Sequence, residues 1–120
     1  MKGAYLLAKD TAFFCAFMTD IKTLGYDYDD SPNSVRLNVT ESVYFTFYDR
    51  IESASYFEDH EIPAEASQKG YKYGYLVECR DEELFCKIVR SIGKQIDFVV
   101  CDGDGVVFQP DQIDPGLLML

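Results

Sequence analysis

The sequence predicts an α+β fold in which an antiparallel sheet packs against two amphipathic helices. Two segments, 10–25 and 81–93, repeat apolar residues at steps of three and four, which is the period of a helix with one buried face. Several other segments alternate apolar and polar residues, which is typical of strands with one buried face. Two pairs of these strands follow each other closely enough to form hairpins, which indicates an antiparallel sheet.

The first strand is predicted over 4–8 and the first helix over 10–25. Asp10 or Thr11 can cap the start of this helix, and Gly25 can adopt the left-handed conformation that ends it. Its predicted buried face comprises Phe13, Phe14, Phe17, Met18, Ile21 and Leu24.

Segment 25–34, with the sequence GYDYDDSPNS, predicts a loop because Asp, Asn, Ser and Pro favour turns. The next two segments, 34–40 and 42–49, alternate apolar and polar residues and predict a hairpin. Residues 50–70 predict a long connection in which 53–57 form a short strand and 62–68 form a single helical turn.

The second helix is predicted over 81–93, with Asp81 as its cap and Gly93 at its end. Acidic residues in its first turn and basic residues near its end complement the helix dipole. The remaining predicted strands are 71–79, 96–101 and 105–109.

A duplicated β-α-β-β unit would explain why the two helical regions resemble each other. With one gap, 5–21 aligns with 75–92, although two amphipathic helices of similar design could also produce these identities. The matched pairs are Tyr5 with Tyr75, Leu6 with Leu76, Asp10 with Asp81, Phe14 with Phe85, Cys15 with Cys86 and Ile21 with Ile92.

The length and composition fit a single domain spanning 1–120. The chain has 120 residues, of which 48% are apolar, including nine Phe and nine Tyr, and this supports one packed core. Lys9 and Asp10 interrupt the opening apolar run before it reaches the length of a signal peptide, and no run approaches the roughly 20 apolar residues that span a membrane. We therefore expect a cytoplasmic protein.

The four cysteines form no C-x-x-C pair, and a single histidine accompanies them. Three of the cysteines lie in apolar segments, which is typical of reduced cysteines with a structural role. We therefore expect neither a zinc site nor disulfides.

Charge limits the kinds of partner that the chain can bind. It has 21 acidic and 11 basic residues and a net charge of −10. Such a surface repels nucleic-acid phosphates and anionic membranes, so we expect no direct binding to either. A cationic protein is the favoured partner, because complementary fields accelerate association, while solubility alone is the alternative explanation.

The segment FVVCDGDGVVF resembles the aspartyl-nucleophile motif of haloacid-dehalogenase-like phosphatases. That resemblance implies Asp102 as the nucleophile and Asp104 as the acid/base, with magnesium between them and the phosphate. No Lys or Arg follows Gly105, however, so the basic residues of such a site are missing. A hairpin turn needs only Asp and Gly, and we favour it.

Residues 58–61 surround the only histidine, His60, with carboxylates. Consecutive residues point in different directions, so a solvated acidic loop is favoured over a metal site.

Tyrosines interleaved with aspartates in segment 25–34 are typical of binding hot spots that pair with Arg or Lys. The candidate partner-binding residues are Tyr26, Asp27, Tyr28, Asp29, Asp30, Glu58, Asp59 and Glu61. Tyr44, Tyr48, Tyr71 and Tyr73 would extend this surface if their strand faces are exposed.

In its small size, acidity, Tyr/Asp-rich segment and lack of catalytic motifs, the chain resembles the small bacterial immunity proteins that neutralise secreted toxins. This resemblance of overall character implies a binding protein without catalysis or cofactor. Its carboxylates would occlude the active site of a basic toxin such as a nuclease, with Tyr26 and Tyr28 as anchors. The alternatives are a nucleic-acid-mimicking inhibitor of a nuclease, with carboxylates in rows, and a small Asp-dependent phosphatase or metal enzyme.

Overall fold

The computed structural model describes residues 3–40, 42–49, 62–79, 81–101 and 106–115. These ranges contain the strands β1 (Gly3–Ala8), β2 (Asp27–Ser31), β3 (Ser34–Asn38), β4 (Tyr44–Tyr48), β5 (Tyr73–Cys79), β6 (Val99–Cys101) and β7 (Val107–Phe108). They also contain the helices α1 (Phe13–Lys22), α2 (Ala64–Ser67) and α3 (Glu82–Gly93). All seven strands form one antiparallel sheet in the order β2-β3-β4-β5-β1-β6-β7, which confirms the predicted α+β class.

The main core lies between one face of the sheet and the helices α1 and α3. The predicted apolar faces of both helices contribute to it, and alternate residues of β3, β4 and β5 oppose them. Aromatic rings fill its centre: the Phe17 and Phe47 ring centroids lie 4.3 Å apart, and Phe13 contacts Tyr75 at 5.1 Å. These contacts place the predicted apolar face of α1 in the main core.

The predicted Asp81 cap of α3 is confirmed, but the predicted cap of α1 by Asp10 or Thr11 is wrong. The N-cap residue of α1 is Ala12, which makes no side-chain capping hydrogen bond, and Asp10 accepts from the Ala12 N–H at 3.0 Å before the helix begins. The Leu84 N–H donates to the Asp81 carboxylate at 2.9 Å, and Gly25 has a φ of 88°. Gly93 is the last residue of α3, but its φ is not positive. A Cβ at this position would lie 2.3 Å from Pro110 Cβ, so the glycine is required for close packing rather than for a left-handed turn.

The prediction of a loop over 25–34 is wrong, because Asp27–Ser31 is the edge strand β2. It pairs with β3 from Asp27 opposite Asn38 to Ser31 opposite Ser34. All five of its side chains are exposed, so the segment lacks the apolar alternation that identifies a strand in sequence. Backbone pairing with β3 overrides the local preference of Asp and Ser for turns.

The additional strand changes the element order on which the predicted duplication depends. Three strands follow α1, whereas two follow α3, so the halves are not both β-α-β-β within the described residues. Tyr5 lies opposite Leu76, and Leu6 lies opposite Tyr75. The aligned residues Tyr5 and Tyr75 therefore face opposite sides of the sheet.

Both predicted hairpins are confirmed, with shorter strands than expected. β3 pairs with β4, and β6 pairs with β7 through Val100 opposite Phe108 and Cys101 opposite Val107. Residues 102–105, which the sequence predicts as the turn, lie outside the described residues, as does the short strand predicted over 53–57.

The second face of the sheet is covered only in part by the described residues. Ala66 of α2 and Tyr71 pack against Tyr5, Leu7 and alternate residues of β6. α2 is the single helical turn predicted over 62–68. None of the helices in the described ranges is long and apolar enough to cross a membrane.

Candidate functional site

The Tyr/Asp-rich segment does not form a single patch, because strand geometry divides its side chains between two faces. Tyr28 and Asp30 lie opposite Leu37 and Val35, whose side chains are buried in the main core. Asp27 and Asp29 point to the other face of the sheet. Tyr26 precedes the strand and packs against the main core as a half-buried residue.

On the helix side of β2, Lys22 of α1 neutralises one of the predicted carboxylates. Its Nζ donates to Asp30 Oδ2 at 2.5 Å and lies 5.4 Å from the Tyr28 ring centroid. This hydrogen bond lowers the pKa of Asp30 and raises the pKa of Lys22. Lys22 therefore fixes β2 against α1, and Asp30 has less charge to offer a partner.

The face of β2–β5 that points away from α1 and α3 carries a group of polar and aromatic side chains, which we call the open face. Its members are Asp27, Asp29, Arg36, Asn38, Tyr44, Thr46, Tyr48 and Glu78.

A chain of hydrogen bonds orders the outer part of the open face. The Arg36 Nε–H donates to Asn38 Oδ1 at 3.0 Å, and Asn38 Nδ2 donates to Asp29 Oδ2 at 3.0 Å. The Arg36 guanidinium also lies 4.1 Å from the Tyr44 ring centroid, within the range of a cation–π contact. Asp29 is therefore held in a defined position at the border of the sheet.

The two tyrosines of β4 occupy the centre of the open face. Tyr44 and Tyr48 are both half-buried, and they line a cavity of about 310 Å³ together with Arg36, Asp29 and Glu78. Burial raises the pKa of Tyr48, and the neighbouring carboxylate of Glu78 raises it further. A hydrogen bond between the Tyr48 phenol and Glu78 contributes to this shift and joins the two side chains within the open face.

Sequence reasoning named Tyr44 and Tyr48 as residues that would extend the binding surface if exposed, but it missed Arg36, Asn38 and Glu78. Alternation along β3 places Arg36 and Asn38 on one face. Their proximity to Asp29 depends on the register between β2 and β3, which the sequence did not indicate because β2 was interpreted as a loop.

The other predicted partner-binding carboxylates lie outside the described residues. These are Glu58, Asp59 and Glu61, which flank His60. Asp102 and Asp104, the candidate phosphatase residues, also lie outside them.

The described cysteines fit the predicted structural role. Cys79, Cys86 and Cys101 are buried, and Cys15 is exposed. Burial raises the pKa of the Cys79 and Cys86 thiols to about 11, so both are poor nucleophiles at neutral pH.

A second cavity, of about 640 Å³, lies beside the end of α3 and away from the open face. Arg90, Lys94, Asp97 and Asp111 contribute exposed charges of both signs to it. Because these opposite charges offset one another, we consider this cavity less suited to a cationic partner than the open face.

A cluster of Lys9, Tyr71 and Asp97 joins β1 to the segment before β6. The Tyr71 hydroxyl donates to Asp97 Oδ1 at 2.7 Å, and Lys9 Nζ lies 3.1 Å from Asp97 Oδ2. Burial, together with the hydrogen bond to Asp97, raises the pKa of Tyr71 to about 12, and the pKa of Asp97 is lowered mainly by the Tyr71 hydrogen bond. The pKa of Tyr71 is raised and the pKa of Asp97 is lowered, so both values lie further from neutral pH than usual. An acid/base pair needs pKa values near the working pH, so this cluster is a structural contact.

Tyr71→Phe tests this role through the pH dependence of stability. In the unfolded chain Tyr71 ionises near pH 10, whereas in the folded protein it stays protonated to about pH 12. Its contribution is complete below pH 10 and is lost as the pH rises through the folded pKa. We expect the variant to lose about 1 kcal/mol at neutral pH. The stability advantage of the wild type should diminish as the pH rises from 10 towards 12 in urea titrations. A difference that stays constant from pH 9 to 12 would contradict the assignment.

No protein-family model matches the chain, and no curated protein or solved structure shows significant similarity to it.

Proposed function

We propose that this chain is an acidic binding protein that neutralises a basic protein partner, as an immunity protein does when it occludes the active site of a bacterial toxin such as a nuclease. The observation that carries this proposal is the open face. There, Tyr44 and Tyr48 form an aromatic centre, and Asp27, Asp29 and Glu78 supply carboxylates around it. This resembles the common anatomy of an interface, with aromatic anchors at the centre and charges at the rim.

We propose Tyr44 and Tyr48 as the aromatic anchors in place of Tyr26 and Tyr28. Tyr26 packs on the core and Tyr28 lies on the helix side of β2, whereas Tyr44 and Tyr48 lie on the open face. Asp27 and Asp29 would pair with Lys or Arg beside a substrate groove of the toxin, and the body of the sheet would exclude substrate. The net charge of −10 would accelerate the encounter with such a cationic groove.

The open face favours a protein partner over the nucleic-acid mimic. A mimic needs carboxylates in extended rows, whereas in the described part of this face the row consists of Asp27 and Asp29.

The test is a charge reversal on the open face against a matched control. A toxin gene immediately upstream would supply the partner, and its purified product would be titrated with Asp27→Lys/Asp29→Lys. We expect association to slow by about tenfold or more at low salt, and the difference to narrow as salt is raised. The measurement is stopped-flow association across a salt series.

The control is Glu83→Lys/Asp111→Lys, which changes the net charge by the same amount at two exposed positions away from the open face. It should slow association by no more than about threefold. Equal effects of the two double variants would show that net charge alone acts, and an unchanged rate for both would contradict the proposal. Thermal unfolding of each variant confirms that the fold is intact.

A further inference from the structure

The outer edge of β2 presents backbone hydrogen-bonding groups away from the sheet. The Val39 N–H donates to Val43 O, and the Asp49 N–H donates to Asn33 O, so the odd-numbered residues along β3 bond to β4. The even-numbered residues of β3 therefore bond to β2, where they face Asp27, Asp29 and Ser31. The backbone groups of Tyr28 and Asp30 consequently point outward from the edge.

This edge is regular enough to accept another strand. Its five residues pair with β3 without a register break, and no residue in it has a positive φ. On the helix side, Lys22 holds it against α1 through Asp30. No strand pairs with its outer side among the residues that the structure describes. An edge of this kind can serve as a template for strand addition.

The side chains of the edge select the incoming strand. Residues of an antiparallel strand opposite Asp27 and Asp29 would occupy non-hydrogen-bonded positions, where side chains approach most closely. Lys or Arg is favoured there. Residues opposite Tyr28 and Asp30 would meet an aromatic ring and a carboxylate already neutralised by Lys22, so apolar residues fit. A second copy of β2 would bring carboxylates together and is disfavoured.

We propose that the cationic partner binds by adding an extended segment of alternating basic and apolar residues to the outer edge of β2, with its basic side chains on Asp27 and Asp29. This inference rests on the proposed function and specifies how the partner is recognised. Backbone hydrogen bonds to Tyr28 and Asp30 would supply affinity, and the two aspartates would supply register and selectivity.

The experiment uses the full chain and the peptide acetyl-Ser-Lys-Val-Lys-Val-Lys-Ser-amide. Two N-methylated versions separate hydrogen bonding from charge. Methylation of the valine amides removes N–H groups that would point at β2, whereas methylation of the lysine amides removes N–H groups that would point away. We expect valine methylation to weaken binding by about tenfold or more and lysine methylation by no more than about threefold, measured by isothermal titration calorimetry.

Two substitutions at position 28 of the protein test the same backbone hydrogen bond from the other side. Tyr28→Pro and Tyr28→Ala both remove the ring, but only proline removes the outward N–H, which the fold does not use for pairing with β3. We expect Tyr28→Pro to bind the peptide about tenfold more weakly than Tyr28→Ala, with circular dichroism unchanged in both. Hydrogen exchange at the Tyr28 and Asp30 amides should slow when the peptide is present.

The outcomes separate this inference from the proposed function. If both methylated peptides bind equally, or if Tyr28→Pro matches Tyr28→Ala, strand addition is wrong. The proposed function would still stand if Asp27→Lys/Asp29→Lys slowed association with the toxin. If that double variant changes neither peptide binding nor toxin association, both proposals are wrong.

Discussion

Replacement of Phe17 by alanine is expected to lower the free energy of unfolding by about 3–5 kcal/mol. The Phe17 side chain is fully buried at the centre of the main core. Its ring stacks on Phe47 at 4.3 Å and meets Phe98 edge-on at 6.0 Å. Truncation removes a large apolar surface and leaves a cavity that the rigid sheet cannot fill by collapse.

Urea denaturation of the two proteins measures this loss directly. Phe17→Leu is the graded control, because leucine retains much of the volume and should cost less than half as much as alanine. Val39→Ala is the exposed control, since Val39 is 41% exposed and should change stability by no more than about 0.5 kcal/mol. A Phe17→Ala variant as stable as Val39→Ala would show that α1 does not pack on the sheet as described.

Local periodicity explains why the helices and the main core could be predicted. Phe14, Phe17 and Ile21 recur at the helical period, and each is buried in the position that this spacing implies. Val35 and Leu37 alternate with exposed or half-buried residues in the same way along β3. In both cases one face of the element is buried, so the pattern records the environment of each residue.

The edge strand and the open face could not be predicted in the same way. All five side chains of β2 are exposed, so its strand conformation depends on hydrogen bonds to β3 rather than on a pattern in its own sequence. The network of Asp29, Asn38 and Arg36 requires knowledge of the pairing register, which is a property of two segments together. Sequence reasoning therefore found the acidic residues but not the partners that position them.

Gly93→Ala is expected to destabilise the protein by about 1–3 kcal/mol, although alanine is the better helix former. In an exposed helix interior, the same change would stabilise by about 1 kcal/mol. At this position the new Cβ would lie 2.3 Å from Pro110 Cβ and 3.0 Å from Pro110 Cγ. Pro110 is buried and its ring is rigid, so the conflict must be relieved by moving α3 away from the segment that follows β7.

A compensating change at Pro110 tests this cause. Pro110→Gly removes both atoms that the new methyl group would meet, so it should cost stability alone but less in the Gly93→Ala background. Pro110→Ala keeps the nearer atom and should give no such relief. Urea denaturation of the wild type, the single variants and the double variants should therefore give a favourable coupling energy between Gly93→Ala and Pro110→Gly. Gly93→Ala and Pro110→Ala should show no such coupling. If Gly93→Ala proves more stable than the wild type, helix propensity outweighs packing here, and the end of α3 does not contact Pro110 as closely as the structure describes.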